Sequence, residues 1–235
     1  MTEAQQRCWE EEQRALRDRL VARDAFEPSV RYVGGVDISF VKGDAVNACA
    51  SLVVLTYPSL EVVWSVERMV ELDFPYISGF LAFREAPHLT RLIDHLRSER
   101  PDLEPQVLFV DGNGVLHPRG FGLASHLGVM ADIPTIGIGK TFLHVDGLDA
   151  KSVKAEMRDG RLLLVGRSGA EWGIALKSTA RSTNPIYVSV GHRISLASAA
   201  TLTAACCRHR VPEPIRQADS RSRERLSAKI RDREQ

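Results

Sequence analysis

The run at 106–110, Gln-Val-Leu-Phe-Val, is short, apolar and free of alternation, and it stops in Asp111-Gly112-Asn113-Gly114. A strand with no polar face is covered on both sides, so it belongs inside a sheet with further layers above and below. Three β-rich segments precede it, Tyr32–Phe40, 46–56 and 62–70, separated by Gly43-Asp44 and Tyr57-Pro58-Ser59. Apolar segments divided by such turn residues predict an antiparallel meander. Between the meander and the central strand, Leu89, Leu92, Ile93 and Leu96 form one helical stripe. Pro87 suits a first helical turn, which places the helix start near 84–86. Further on, the patterns predict a helix over 124–131, a strand over 134–138, a hairpin of 162–165 with 172–176, a strand over 186–190 and a helix over 196–207.

This order of elements predicts an α/β fold, a mixed β-sheet flanked by helices that resembles the ribonuclease H-like fold. With no internal repeat and no low-complexity linker, the 235 residues are expected to form a single domain, 1–235. Trp9, Gln13, Leu16 and Leu20 recur at helical spacing and predict an N-terminal helix within residues 1–25. The stretch 214–235 is highly charged. It reads as a surface helix or as partly disordered, with 220–235 a mobile tail.

Charge is balanced, 31 Lys and Arg against 30 Asp and Glu. Composition therefore neither requires nor excludes a nucleic-acid partner. The four cysteines, Cys8, Cys49, Cys206 and Cys207, lack Cys-x-x-Cys spacing, so no structural zinc site is expected. Reduced thiols fit a cytoplasmic or nuclear protein. No apolar run reaches membrane-spanning length, and the N-terminus has no apolar signal region.

Three carboxylates stand where a core does not favour them. Asp37 interrupts an apolar strand, Asp111 ends the central one, and Glu85 precedes Leu89 by four residues and so shares the inward face of its helix. Singly, each has a plain structural reading: a hydrogen-bonded strand acid, an Asx turn, and an acid favoured by the helix dipole. Together the pattern favours a hard divalent cation, which would offset the cost of burying them.

The runs Val36-Asp37-Ile38-Ser39, Pro75-Tyr76-Ile77-Ser78-Gly79-Phe80-Leu81-Ala82-Phe83-Arg84-Glu85 and Val110-Asp111-Gly112-Asn113-Gly114 resemble endonuclease V. So do His117-Pro118-Arg119-Gly120-Phe121-Gly122, Ser189-Val190-Gly191-His192-Arg193-Ile194-Ser195 and Pro212-Glu213-Pro214-Ile215-Arg216-Gln217-Ala218-Asp219. The motifs keep the family's order from about Val33 to Asp219.

The resemblance implies that Asp37, Glu85 and Asp111 are catalytic metal ligands, with Asp219 a fourth acid near the metal. The expected cofactor is magnesium, with manganese as a substitute. Lys140 matches a family lysine near the scissile phosphate. Many members read Gly-Val-Ala-Lys where this chain has Gly137-Ile138-Gly139-Lys140. The added glycine makes the loop more permissive and leaves the lysine's charge in place.

Tyr76, flanked by Pro75 and Ile77, matches the family's wedge, an aromatic ring that fills the gap left by an extruded nucleotide. The glycines Gly112, Gly114, Gly120 and Gly122 permit close backbone approach to a flipped purine, and Leu116, Ile138 and Leu143 are its expected apolar walls. His117 and His192 are weaker expectations as substrate contacts. Asn113 stands where many bacterial members have His.

The expected function is hydrolysis of a phosphodiester bond one nucleotide 3′ of inosine, leaving a 3′-hydroxyl and a 5′-phosphate. Phe40-Val41-Lys42-Gly43-Asp44 and Cys206-Cys207-Arg208 resemble the animal members, which implies single-stranded inosine RNA as partner, with deoxyinosine DNA as the alternative. A non-cleaving inosine-RNA binding protein and a nuclease with no base preference are the other readings. A monomer without membrane association is expected.

Overall fold

The computed structural model describes residues 2–27, 29–41, 44 and 46–234. Lys42, Gly43 and Gln235, which figure in the expected turn, the animal-type run and the tail, lie outside the described residues. The elements run α1 (Glu3–Arg17), β1 (Tyr32–Phe40), β2 (Asn47–Thr56), β3 (Val62–Glu71), α2 (Leu81–Glu99), a 3-10 turn (Pro101–Leu103), β4 (Val107–Asp111), α3 (Leu123–Ala131), β5 (Thr135–Gly139), α4 (Ala150–Glu156), β6 (Arg161–Val165), β7 (Glu171–Leu176), β8 (Ile186–His192), α5 (Leu196–Ala205) and α6 (Glu213–Glu234).

Among the described residues, eight strands form one sheet, in the order β3-β2-β1-β4-β5-β8-β7-β6. The meander β1-β2-β3 is antiparallel, as its turn-divided sequence predicts, while β4 lies parallel to both β1 and β5. The sheet is therefore mixed. Its apolar central run, β4, sits between two partners and is buried along Val107–Val110.

Alternation assigns the faces. Val36, Leu108 and Val110 pack with Leu89, Ile93 and Leu127 of α2 and α3. Val33, Phe109, Ile136 and Ile138 pack on the other face with Leu202 of α5 and Ile215 and Ala218 of α6. Each such fully buried side chain stabilises the fold by about 1.5–3 kcal/mol before its entropy cost is set against it. A third cluster, around Leu116, Phe142, Val153 and Tyr187, holds the β6-β7 hairpin and α4 against the sheet.

Four elements differ from expectation, the first being helix α4 (Ala150–Glu156), which no sequence pattern predicted. Helix α2 begins at Leu81, so Pro87 lies inside it and not in its first turn. The added first turn is held by packing: Phe80 and Ala82 are buried, and Trp9 stacks on Phe83 with centroids 4.7 Å apart. Helix α1 stops at Arg17, and Leu20 follows in a turn. The charged C-terminal stretch is helix α6, and it is seated on the sheet: Ile215, Ala218, Ser222 and Leu226 are buried at helical spacing. Gly35 makes this seating possible, because a Cβ there would stand 2.1 Å from the Pro214 carbonyl oxygen. All four cysteines are free, with Cys49 and Cys206 buried. Among the described residues no helix is long and apolar enough to cross a membrane.

Candidate active site

The parallel pair β1-β4 stays in register from Val33↔Val107 to Val36↔Val110, and the next residues on the two strands are Asp37 and Asp111. Two carboxylates are thus brought to the same end of adjacent strands by the register alone. Both alternate onto the face opposite Val36 and Val110. Glu85 approaches from α2, on the other side of the sheet, and is 6% exposed. All three line one cleft of about 640 Å³, together with Lys140, Arg84 and Tyr76.

Burial first, and then the negative charge of Asp111 and a hydrogen bond with it, push the Asp37 carboxyl up to about 8, against an opposing pull from Lys140. Burial also raises Glu85 to about 8, assisted by the charges of Asp37 and Asp111 and opposed by Arg84. Lys140 Nζ lies 2.5 Å from Asp111 Oδ2. Burial works against its charge, but Asp111, Asp37 and Asp219 outweigh that and hold the ammonium above its ordinary range. Among the described residues no three Asp, Glu, His or Cys side chains stand as a closed set of metal ligands. The acids converge on one cleft, with Lys140 against Asp111.

Asp219 stands behind Asp37, on α6. Its Oδ1 accepts from Ser39 Oγ at 3.4 Å and from Arg223 Nε at 2.7 Å, and its charge reaches Asp37. Ser39 also donates toward Asp37 Oδ2 at 3.2 Å, and buried Ser222 donates to Ser39 at 2.7 Å. Ser222 was missed because a serine in a helix carries no periodic signal, and Ser39 although it closes the run Val36-Asp37-Ile38-Ser39. Arg84 was missed as well: it is buried beside Glu85 and lies 4.9 Å from the Phe40 ring centroid. Its position directly before Glu85 in the quoted motif was the available signal.

The Gly-rich turn is clamped to the sheet. Gly114 N donates to Ser189 Oγ at 2.9 Å, and Gly112 N to the Ile138 carbonyl at 3.1 Å. Gly112, Asn113, Gly122, Ile138 and Leu143 line the cleft, and Tyr76 stands at it with 66% exposure. Pro75 is exposed and Ile77 half-buried on either side of that ring, outside the cleft lining.

Five expected substrate contacts lie elsewhere or are otherwise engaged. Leu116 is fully buried in the third core cluster, where its apolar side chain packs against other apolar groups instead of solvent. Gly114 is beneath the turn, where a Cβ would meet the Val190 carbonyl at 1.9 Å, and Gly120 packs against Arg17. His192 accepts from Val21 N at 3.3 Å through Nδ1 and faces Asp132 with Nε2, away from the cleft. His117 does line the cleft, but its Nδ1 accepts from Arg119 N at 3.2 Å and its ring bonds the Gly79 backbone. Burial and the nearby Arg119 charge lower it to about 4, so it is neutral at pH 7.

A family model for endonuclease V matches residues 14–220. The chain belongs to the endonuclease V family. It is 53% identical over 232 residues to endonuclease V of Homo sapiens, a match covering 93% of this chain and 82% of that protein. The solved catalytic domain of human endonuclease V is similar at a TM-score of 0.93 and 50% identity, covering 98% of this chain and 99% of that one. Endonuclease V of Ciona intestinalis, solved with a 24mer DNA containing an inosine followed by a ribo-adenosine, is similar at a TM-score of 0.93 and 35% identity, covering 97% and 99%. The mixed sheet with its flanking helices is the ribonuclease H-like fold of endonuclease V, and the chain is a nuclease of that family.

Proposed function

We propose that this chain is a metal-dependent nuclease that hydrolyses the phosphodiester bond one nucleotide 3′ of inosine in single-stranded RNA, with deoxyinosine DNA as a second substrate. The convergence of Asp37, Glu85 and Asp111 beside Lys140 in an open cleft carries this reading.

The residues fit a divalent metal. The donors are hard carboxylate oxygens, and Asp37 and Glu85 are held protonated first by burial and then by neighbouring carboxylate charge, against the pull of Lys140 and Arg84, a cost that a bound divalent cation would offset. When bound, magnesium or manganese supplies positive charge for the phosphate oxygens and lowers the pKa of a water. Asp37, Glu85 and Asp111 are the residues that would hold it, with Asp219 behind Asp37.

Lys140 places a point charge at the cleft floor, where a phosphate oxygen gathering negative charge competes with the Asp111 carboxylate for the ammonium. Tyr76 offers an exposed ring to the base stack, and Gly112, Gly122 and Ile138 form a narrow wall for an extruded purine. Inosine differs from adenosine in an O6 acceptor and an N1–H donor, groups that backbone amides and carbonyls distinguish.

Two observations support RNA. The Ciona relative was solved with a ribonucleotide directly after the inosine. The high identity to the human protein accompanies the animal-type runs in this sequence. The test is cleavage of matched single strands of inosine RNA, deoxyinosine DNA and adenosine RNA, each with magnesium or EDTA, alongside Asp37→Ala. The expected result is a magnesium-dependent cut one nucleotide 3′ of inosine, fastest on RNA and absent with Asp37→Ala. Equal rates on inosine and adenosine strands overturn the base assignment. Equal rates on RNA and DNA overturn the preference.

A further inference from the structure

Helix α1 grips the loop that carries Tyr76 at both of its roots. At the N-terminal root, Trp9 meets the Phe74 ring edge-on, with centroids 5.0 Å apart. Trp9 is buried, and it also stacks on Phe83 at the start of α2. At the C-terminal root, Gln13 Nε2 donates to the Gly79 carbonyl at 3.2 Å and to the Phe121 carbonyl at 3.2 Å. The same Gly79 carbonyl accepts from the Arg119 guanidinium. Arg119 Nε in turn donates to Gln13 Oε1 at 2.6 Å, and its guanidinium carbon lies 4.1 Å from the Phe80 ring centroid.

Gln13 is 2% exposed, and with Trp9 it is one of the two buried residues of α1. Burying an amide is unfavourable unless its groups are matched, and here both ends are matched, the amide nitrogen to loop backbone and the oxygen to Arg119. Gly79 has φ +81, a conformation that glycine adopts without strain, so the most permissive position of the loop is the one that is held. The family match begins at residue 14, so Trp9 and Gln13 precede it, whereas Gly79 and Arg119 lie within it.

We propose that Trp9 and Gln13, acting with Arg119, are positioning residues for base extrusion. They brace both ends of the loop so that Tyr76 enters a base stack without the loop yielding. The inference rests on the reading of Tyr76 as the element that fills the stack. Extrusion from a duplex works against pairing and stacking, while an unpaired base leaves its stack at little cost. The brace therefore matters for paired inosine and hardly at all for unpaired inosine.

The test compares full-length wild type with Gln13→Ala, Trp9→Ala and Trp9→Phe on two strands: inosine within a duplex and inosine in an unpaired strand. Each carries 2-aminopurine beside the inosine, and both fluorescence and single-turnover cleavage are followed. The expected result is a loss of about 10-fold or more with Gln13→Ala on the duplex, in the fluorescence rise and in cleavage, against less than about 2-fold on the unpaired strand. Trp9→Ala follows the same pattern and Trp9→Phe recovers much of it. Should Trp9→Ala fail to fold, Gln13→Ala decides. Equal losses on the two strands, no loss on either, or no fluorescence rise on the duplex with wild type overturns the inference. A wild type that cuts neither inosine strand overturns the underlying function as well, which separates the two failures.

Discussion

Lys140 Nζ and Asp111 Oδ2 stand 2.5 Å apart, joining the ends of two adjacent parallel strands. This contact gives the cleft floor its positive charge and limits the repulsion among the acids around it. Lys140→Ala should lower the single-turnover cleavage rate by about 100-fold, the scale for losing one charged donor at a developing negative charge. A rate within about threefold of wild type at saturating magnesium removes Lys140 from the chemistry.

Asp37 and Glu85 retain protons to about pH 8 in the folded protein, whereas their ordinary values are 3.8 and 4.5. Between those limits the folded state binds more protons than the unfolded chain, so this contribution to stability is full at low pH and is lost as pH rises through about 8. His117 and His126, lowered to about 4 chiefly by burial, act in the opposite sense below 6.5. The clean window is therefore above 6.5. Urea midpoints of metal-free protein should fall as pH rises from 6.5 through about 8, and metal binding near pH 7 should release protons. At subsaturating magnesium, nuclease activity should climb toward pH 8 as the carboxylates ionise and metal binds more readily; a flat profile under that condition contradicts the assigned cause.

Asp37→Asn separates stability from activity. It removes a buried acid that repels Asp111 and Glu85 while keeping the side chain's shape. Cleavage should drop by more than about 100-fold. The metal-free melting temperature above pH 8 should rise by roughly 2–4 °C, the shift that about 1 kcal/mol produces in a domain of this size. A lowered melting temperature shows that Asp37 has a net stabilising role.

Tyr76 is 66% exposed, so Tyr76→Ala should change unfolding free energy by no more than about 0.5 kcal/mol. Binding to an inosine duplex should weaken by about 1–3 kcal/mol, the scale of one base–aromatic stack. Titration by fluorescence anisotropy measures this, and unaltered affinity means that the ring does not enter the stack.

Gly114→Ala tests the clamp beneath the acidic turn. The new methyl would stand 1.9 Å from the Val190 carbonyl oxygen, so strand backbone must move. The expected destabilisation is about 3 kcal/mol, read from the denaturation midpoint. A loss below about 0.5 kcal/mol means that the turn shifts freely.

Much of the architecture was legible in the residues. The unbroken apolar run of β4 announced a strand covered on both faces, and the turn-divided meander appeared at the expected positions. The helix α2 start was misplaced because Pro87 obeys a local rule, whereas Trp9, distant in sequence, stabilises the extra turn. Helix α6 was obscured by its charge: its buried stripe of Ile215, Ala218, Ser222 and Leu226 includes only two large apolar side chains.

Residue identity and order were enough to specify the strands, most of the helices and the acids, because side-chain period and polarity act over a few positions. Which acids meet depended on the parallel register of β1 with β4 and on the approach of α2 from the other face. The same long-range packing withdrew Leu116 and His192 from the cleft and brought Gln13 to the Gly79 carbonyl. Such contacts arise from chain segments far apart in sequence, where local periodicity carries no information about distance.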